Sequence, residues 1–138
     1  MAGSIRLEIV TPEKLVVSDE AEIVMAPGVL GEFGVLVNHT PFMTTLKVGT
    51  IHYKDSSGQE RFVFVSGGFA EALPDKVTVL AESAERIQDI DMERAKSAME
   101  RAQKRLAETD DAAVDFTRAK GALERAMHRV RLAEMRLS

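Results

Sequence analysis

Glycine and proline are confined almost entirely to the first half of this 138-residue chain. All four prolines and eight of the nine glycines precede residue 75, whereas the segment 85–138 contains only Gly121. Because both residues favour turns and interrupt helices, their distribution divides the chain into two differently built parts. The first part is predicted to consist of short strands joined by tight turns, and the second of two helices.

Alternating apolar residues in the first part predict half-buried strands, beginning with Ile5, Leu7 and Ile9. Turn sequences rich in proline, glycine, aspartate and serine separate further candidate strands at 14–17, 22–26, 33–37, 42–46, 50–54, 62–66, 69–73 and 77–80. So many short strands would leave one open sheet uncovered, whereas two packed sheets or a flattened barrel would bury them. We predict an all-β sandwich spanning residues 1–84.

Two glycine-rich segments in this part have different predicted roles. Gly28, Gly31 and Gly34 are spaced three apart, but neither a Gly-Lys-Ser/Thr ending nor a helix follows, which argues against a phosphate-binding loop. Glycine there would instead allow left-handed backbone or close approach by another chain. The pair Gly67-Gly68 lies between two apolar strands and predicts a bulge or a bend at a corner of the sandwich.

The second part has helical periodicity and is predicted to form an antiparallel helical hairpin over residues 88–138. Asp91 is the predicted N-cap of its first helix, and Asp110 or Asp111 that of its second. Much of the seam is alanine, which buries little area, so we expect the hairpin to be marginally stable alone. The seam residues recur at intervals of three and four: Met92, Ala95, Met99, Ala102 and Leu106, then Phe116, Ala119, Leu123, Ala126, Val130, Ala133 and Leu137.

Composition excludes several classes of function. The chain has no cysteine, which rules out disulfides and thiolate metal sites, and its three histidines are scattered, so no metal site is predicted. No nucleophile–base set or paired carboxylates indicate catalysis. The acidic first part disfavours nucleic acid as a partner, and no apolar run is long enough for membrane insertion. His39, between a glycine-rich turn and Pro41, could face a partner or hydrogen-bond structurally.

The arginines of the second part are regularly spaced along both predicted helices. In a hairpin that turns between residues 110 and 111, residue i lies level with about 221 − i, which places Arg94 between Arg125 and Arg129. Three converging guanidinium groups repel one another unless an anion or acidic side chains lie among them. An anion site is therefore one hypothesis, and the alternatives are a solvated face or neutralisation by neighbouring carboxylates.

The chain resembles the ε subunit of bacterial F-type ATP synthases from about Ile5 to Leu137. The markers are Val10-Thr-Pro12, Gly31-Glu-Phe-Gly34 with His39-Thr-Pro41, Val65-Ser-Gly-Gly-Phe69, Val77-Thr-Val-Leu80 and Asp89-Ile-Asp-Met-Glu-Arg94-Ala95. The resemblance implies a non-catalytic rotor subunit of the central stalk, peripheral on the cytoplasmic face of the bacterial membrane. Its implied partners are the γ subunit, the ring of c subunits, and the α and β subunits of F1. Glu32 matches the ring-facing loop, and His39 lies near the γ contact.

The resemblance also implies a regulatory ATP site in the hairpin. The residues at matching positions are Glu85, Ile90, Asp91, Arg94, Ala95, Arg101, Arg125 and Arg129. ATP would hold a compact hairpin closed, whereas an extended hairpin would reach the α/β ring and inhibit ATP hydrolysis. The alternative function is a free-standing ATP-sensing regulatory module that acts on a soluble partner. A small enzyme is a third and weaker reading.

Overall fold

The computed structural model describes residues 3–108 and 113–137, and within the last range the side chains of residues 116–136. The chain divides into two compact units, Met1–Ile87 and Gln88–Ser138. In the described residues, the elements are β1 (Ile5–Val10), β2 (Leu15–Gly28), β3 (Gly31–Leu36), β4 (Phe42–Leu46), β5 (Gly49–Asp55), β6 (Glu60–Val65), β7 (Gly68–Ala72), β8 (Lys76–Ala81), β9 (Ala84–Arg86), a 3₁₀ turn (Ile87–Asp89), α1 (Met92–Ala107) and α2 (Ala113–Leu137).

The first unit is a β-sandwich in which the long strand β2 is shared by both layers. The first half of β2 pairs with β1, which continues through β8 and β7 to β4. Its second half pairs with β3 on one edge and with β5 on the other, and β5 continues through β6 to β9. The predicted fold class, an all-β sandwich followed by a helical hairpin, is confirmed.

The core of the sandwich lies on the inner faces of its strands. Ile5, Leu7 and Ile9 are fully buried, while the alternate residues of β1 are at least partly exposed, as the alternating pattern predicted. Tyr53 is a large polar-tipped side chain buried in the same core. Aliphatic residues from both layers complete this core, chiefly Val17, Val24, Val35, Ile51, Val63, Val65, Val77 and Val79.

Strand β2 corrects the prediction of two separate strands at 14–17 and 22–26. The structure forms one strand of 14 residues through Ser18, Asp19 and Glu20. Arg6 of the neighbouring strand β1 explains why these polar residues remain extended. Its guanidinium donates to Ser18 Oγ at 2.6 Å and to Glu20 Oε1 at 3.3 Å, and such cross-strand pairs stabilise a sheet.

The predicted bend at Gly67-Gly68 is found where the chain passes from β6 in one layer to β7 in the other. Both glycines have positive φ, 124° and 133°. A Cβ on Gly68 would lie 2.1 Å from the carbonyl oxygen of Leu80, so only glycine fits this position. The double glycine therefore allows strand β7 to begin directly against β8.

The second unit contains the two predicted helices. Asp91 is the N-cap of α1, as predicted: its backbone is extended and its side chain accepts a hydrogen bond from the Arg94 amide at 3.1 Å. Asp110 and Asp111, the alternative caps of α2, lie outside the described residues. Buried seam positions are mainly alanine, as predicted: Ala95, Ala102, Ala119, Ala126 and Ala133, with Val130.

One predicted seam residue is wrong and one buried residue was not predicted. Phe116 is 52% exposed, whereas Leu132 is 3% exposed. A straight helix drifts by about 20° per heptad relative to a 3.5-residue repeat, so a seam extrapolated from Ala133 to Phe116 rotates out of the interface. The side chain of Leu137 lies outside the described residues.

Candidate functional site

The turn between β2 and β3 presents an apolar tip beside Glu32. Gly28 and Gly31 face each other across this turn, and Leu30 at its tip is 98% exposed. A Cβ on Gly28 would lie 2.8 Å from the carbonyl oxygen of Gly31, which explains the close glycine spacing without a ligand. The exposed carboxylate of Glu32 lies 3.8 Å from His52 Nε2. Its contact with a ring of c subunits stays a prediction.

His39 has a structural hydrogen bond, one of the two roles considered for it. Its Nδ1 lies 2.7 Å from the carbonyl oxygen of Thr40. Because a carbonyl only accepts, Nδ1 carries the proton in this bond. The imidazole also packs 5.2 Å from the ring of Phe42, which in turn makes an edge contact with Phe33. The ring is thus fixed at the surface, and its part in partner binding stays a prediction.

An apolar groove lies on the layer of the sandwich that is formed by β1, β8, β7 and β4. It is at the end of this layer where β1 and β8 finish and β7 begins. Phe69 and Leu80 are register partners on β7 and β8, and each is 55% exposed. Large exposed apolar side chains in adjacent positions are typical of protein-binding surfaces. The groove, which we call the Phe69–Leu80 groove, has a volume of about 370 Å³ and is lined by Val10, Thr11, Pro12, Gly68, Phe69, Leu80, Ala81 and Glu82.

In the second unit, four of the predicted nucleotide-binding residues lie together at the beginning of α1. Ile90 and Ala95 are 3% exposed, so they face inward. Asp91 and Arg94 are exposed, and the Asp91 carboxylate caps the helix through the Arg94 amide. The Asp91 carbonyl accepts the first hydrogen bond of the helix from Ala95 N–H at 3.0 Å. The motif therefore combines two packing positions with two solvent-facing polar ones.

One hydrogen bond fixes the relative direction of the two helices. Arg136 Nη1, in the last turn of α2, donates to the carbonyl oxygen of Ile90 at 3.0 Å. The end of α2 therefore lies beside the beginning of α1, as an antiparallel hairpin requires. The relation between residue i and residue 221 − i predicts residue 131 opposite Ile90. Arg136 reaches Ile90 from further along α2 because its side chain is long and helical side chains point toward the N-terminus.

The other predicted arginines differ in burial. Arg101 on α1 is exposed, whereas Arg125 and Arg129 on α2 are half-buried. The Arg125 guanidinium folds back along its own helix: Nη1 lies 3.3 Å from where a Cβ on Gly121 would stand. The convergence of these groups with Arg94 stays a prediction. Glu85 belongs to the sandwich unit, in β9 opposite Phe64, and its role in nucleotide binding also stays a prediction.

Three interacting residues of the sandwich were not singled out from the sequence. Tyr53 donates a hydrogen bond to Asp19, and Arg86 Nη2 lies 3.6 Å from the same carboxylate. They come from three different strands, so no local spacing could have paired them. The only local signal was that Tyr53 follows Gly49 and Ile51 at the alternate, inward-facing positions of β5. Within residues 3–108 and 113–137, no cluster of potential metal ligands is present and no helix is long and apolar enough to cross a membrane.

Fold and surfaces together define a class of protein, a β-sandwich with an exposed apolar groove followed by an arginine-rich helical hairpin. Family models describe the same two parts. Residues 4–87 match the ATP synthase delta/epsilon chain beta-sandwich domain, and residues 88–134 match the delta/epsilon chain long alpha-helix domain. The chain belongs to the ATP synthase delta/epsilon chain family. Epsilon chains are structural and regulatory subunits, so the role of this chain is not catalytic.

Individual relatives agree with this assignment. The chain is 65% identical over 136 residues to the ATP synthase epsilon chain of Desulfatibacillum aliphaticivorans, covering 99% of this chain and 96% of the relative. It is 69% identical over 106 residues to the ATP synthase epsilon chain of Desulfosudis oleivorans, covering 77% and 80%. A chain in the cryo-EM structure of the Euglena gracilis mitochondrial ATP synthase has the same fold, with a TM-score of 0.80 at 21% identity, covering 100% of this chain and 84% of that chain.

Proposed function

We propose that this chain is a central-stalk rotor subunit of an F-type ATP synthase, and that ATP regulates it through the helical hairpin. The 65% identity to an ATP synthase epsilon chain over nearly the whole length supports the subunit over a free-standing ATP sensor. As part of F1, it would lie peripherally on the cytoplasmic face of the bacterial membrane. Its sandwich would couple F1 to the ring of c subunits.

The sandwich offers two surfaces for these partners. The Phe69–Leu80 groove presents apolar side chains that would be buried against the γ subunit, and His39, which packs on Phe42 near the start of β4, would be a separate contact with γ. The turn with Leu30 and Glu32 follows the last residue of β2 and would face the c-ring. Protein interfaces combine an apolar centre with a polar rim, and Leu30 beside Glu32 provides both.

The hairpin carries the regulatory part of the proposal. The observation that supports it most is the hydrogen bond from Arg136 to Ile90, because it aligns the arginine-rich second half of α2 with the beginning of α1. ATP carries a polyphosphate that Arg94, Arg101, Arg125 and Arg129 could bind by charge-assisted hydrogen bonds. Ile90 and Ala95 would support the motif by packing, and Asp91 would lie toward the ribose or adenine.

Regulation would follow from a two-state hairpin. In the closed state α1 and α2 pack along their alanine seam, and in the open state they separate and extend toward the α and β subunits. A ligand that binds only the closed state stabilises it by about 2.7 kcal/mol at a hundredfold excess over Kd. An alanine seam buries little area per turn, so a bias of this size can decide between the two states. The open state would inhibit ATP hydrolysis.

Calorimetric titration of the purified chain with ATP tests the site. Replacing Arg125 and Arg129 together by alanine should lower the affinity at least 100-fold, since each removes charge-assisted hydrogen bonds. The matched control replaces Arg118 and Arg131, which are exposed on the same helix, and should change the affinity less than threefold. Equal affinities for the wild type and the Arg125/Arg129 variant would refute the site.

A second experiment tests regulation rather than binding. F1 reconstituted with the wild-type chain should hydrolyse ATP more slowly than F1 reconstituted with residues 1–87 alone. Raising the ATP concentration in the assay should bring the hydrolysis rate of F1 with the wild-type chain closer to that of F1 with residues 1–87. It should not do so for F1 that carries the Arg125/Arg129 variant. Identical hydrolysis by the full-length and truncated chains would restrict the protein to a coupling role.

A further inference from the structure

The carbonyl of Ile90 belongs to the peptide unit that leads into the N-cap of α1. We propose that Arg136 is a positioning residue, a latch that orients this peptide unit and thereby the capping carboxylate of Asp91. The contact joins Nη1 and the Ile90 carbonyl oxygen at 3.0 Å, across 46 residues of sequence. The donor, the guanidinium of Arg136, is charged, and hydrogen bonds from charged donors are stronger than those between neutral groups.

The geometry of Asp91 explains why the orientation of this peptide matters. Asp91 has φ −83° and ψ 103°, and its side chain accepts from the Arg94 amide at 3.1 Å while its carbonyl accepts from the Ala95 amide at 3.0 Å. The orientation of the Ile90–Asp91 peptide plane sets the φ of Asp91. Rotating that plane therefore displaces both the side-chain and the carbonyl acceptor of Asp91. Arg136 therefore acts on the first turn of α1 although it lies in the last turn of α2.

Closure of the hairpin and order at the motif are coupled by this bond. When α2 separates from α1, Arg136 leaves Ile90, and the cap loses the donor that holds its peptide. When the helices are packed, the same donor arranges Asp91 and Arg94 before any ligand arrives. Preorganisation of this kind increases affinity because the binding step no longer has to order the site. This second half of the inference rests on the nucleotide site proposed above.

Hydrogen exchange of the nucleotide-free, full-length chain tests the latch independently of ATP. In Arg136→Ala, the amides of Arg94 and Ala95 should exchange about tenfold faster, since a charge-assisted hydrogen bond no longer holds the cap. Amides in the middle of α1, at residues 98–104, should change less than twofold. Arg136→Lys should restore most of the protection, because an ammonium group also donates to a carbonyl. Arg131→Ala, which removes the same charge from an exposed position of α2, should resemble the wild type.

Two outcomes would overturn the latch. Unchanged exchange at Arg94 and Ala95 in Arg136→Ala would show that the bond does not orient the cap. Uniform loss of protection along both helices would show that Arg136 only stabilises the hairpin in general. Loss of the favourable charge at the end of α2 is a separate effect, and it would increase exchange there rather than at the start of α1.

Titration with ATP then tests the second half. Arg136→Ala should bind ATP about tenfold more weakly than the wild type, and Arg136→Lys should recover most of that affinity. Wild-type affinity in Arg136→Ala would refute the coupling to the nucleotide motif. If the wild type itself binds no ATP while the cap amides respond as expected, the proposed nucleotide site fails and the latch stands.

Discussion

The phenolic hydroxyl of Tyr53 donates a hydrogen bond to the carboxylate of Asp19 inside the sandwich. Arg86 approaches the same carboxylate at 3.6 Å, and its Nε donates to the carbonyl of Val16 at 3.3 Å. These contacts tie the short last strand β9 to the long strand β2. They fix the end of the sandwich from which the chain continues to the hairpin.

Stability should fall at alkaline pH because of Tyr53. Burial, assisted by the hydrogen bond to Asp19, raises the pKa of Tyr53 to about 12. An unfolded tyrosine ionises near pH 10, so this contribution is complete below about pH 10 and is lost as the pH rises through about 12. Over that pH range, the free energy of unfolding measured in urea should fall by roughly 2–3 kcal/mol more for the wild type than for Tyr53→Phe. At pH 8 the variant should be less stable by about 1 kcal/mol. Parallel stability curves for the two proteins would contradict the assignment.

Because of Asp55, stability should also fall at acid pH, in the opposite direction to the effect of Tyr53. Its carboxylate accepts from the Ser57 hydroxyl at 2.7 Å, from Arg61 Nε at 3.0 Å and from the Gln59 amide at 3.0 Å. The Ser57 hydroxyl, with the arginine and the backbone donors, lowers the pKa of Asp55 to about 2. The stabilisation is therefore present above about pH 4 and is lost as the pH falls through about 2.

Thermal unfolding between pH 4 and pH 2 tests this dependence. The melting temperature of the wild type should fall more steeply over that range than that of Asp55→Asn, which has no carboxylate to protonate. Asp75→Asn, in an exposed turn of the same sandwich, is the control and should keep the wild-type slope. If the melting temperature of Asp55→Asn falls as steeply as that of the wild type, the stability of the turn does not depend on the charge of Asp55.

Local patterns predicted most of the sandwich because each strand alternates and each turn carries its own residues. Two predictions for the sandwich were wrong: β2 was divided into two strands, and β9 (Ala84–Arg86) was not predicted. Both errors have a common cause, which is long-range pairing. Strand β2 runs through Asp19 because Arg6 bonds to its polar neighbours, and β9 forms only because Ala84 and Arg86 pair with β6. A sequence window of a few residues contains neither partner.

The candidate site was predictable only in part, for a similar reason. The motif at Asp91 and Arg94 is local, and its cap geometry follows from residue type and spacing alone. The latch from Arg136 to Ile90 spans 46 residues and depends on the register of two helices. Half-burial of Arg125 depends equally on Gly121, whose missing side chain leaves space for the guanidinium.

Gly121→Ala should separate the stability of the hairpin from its affinity for ATP. Alanine is more favourable than glycine within a helix by about 1 kcal/mol, so the melting temperature should rise. The new Cβ would stand 3.3 Å from Arg125 Nη1, a tight contact that would shift that guanidinium slightly, so calorimetry should show weaker ATP binding. Thr117→Ala, exposed on the same helix, should stabilise without changing the affinity. ATP affinity equal to that of the wild type in Gly121→Ala would contradict the proposed role of Arg125.

The Phe69–Leu80 groove should carry much of the binding to the γ subunit. Both side chains are 55% exposed in the chain alone, so replacing them by serine should leave the fold intact while removing apolar area from the contact. Apolar anchors at an interface commonly contribute 1 kcal/mol or more each, so the double variant should bind isolated γ at least tenfold more weakly. Leu30→Ser, at the exposed tip of the β2–β3 turn, removes a side chain of the same kind that does not line the groove and should leave γ binding unchanged. If Leu30→Ser weakens γ binding as strongly as the double variant does, the γ contact does not lie at the groove.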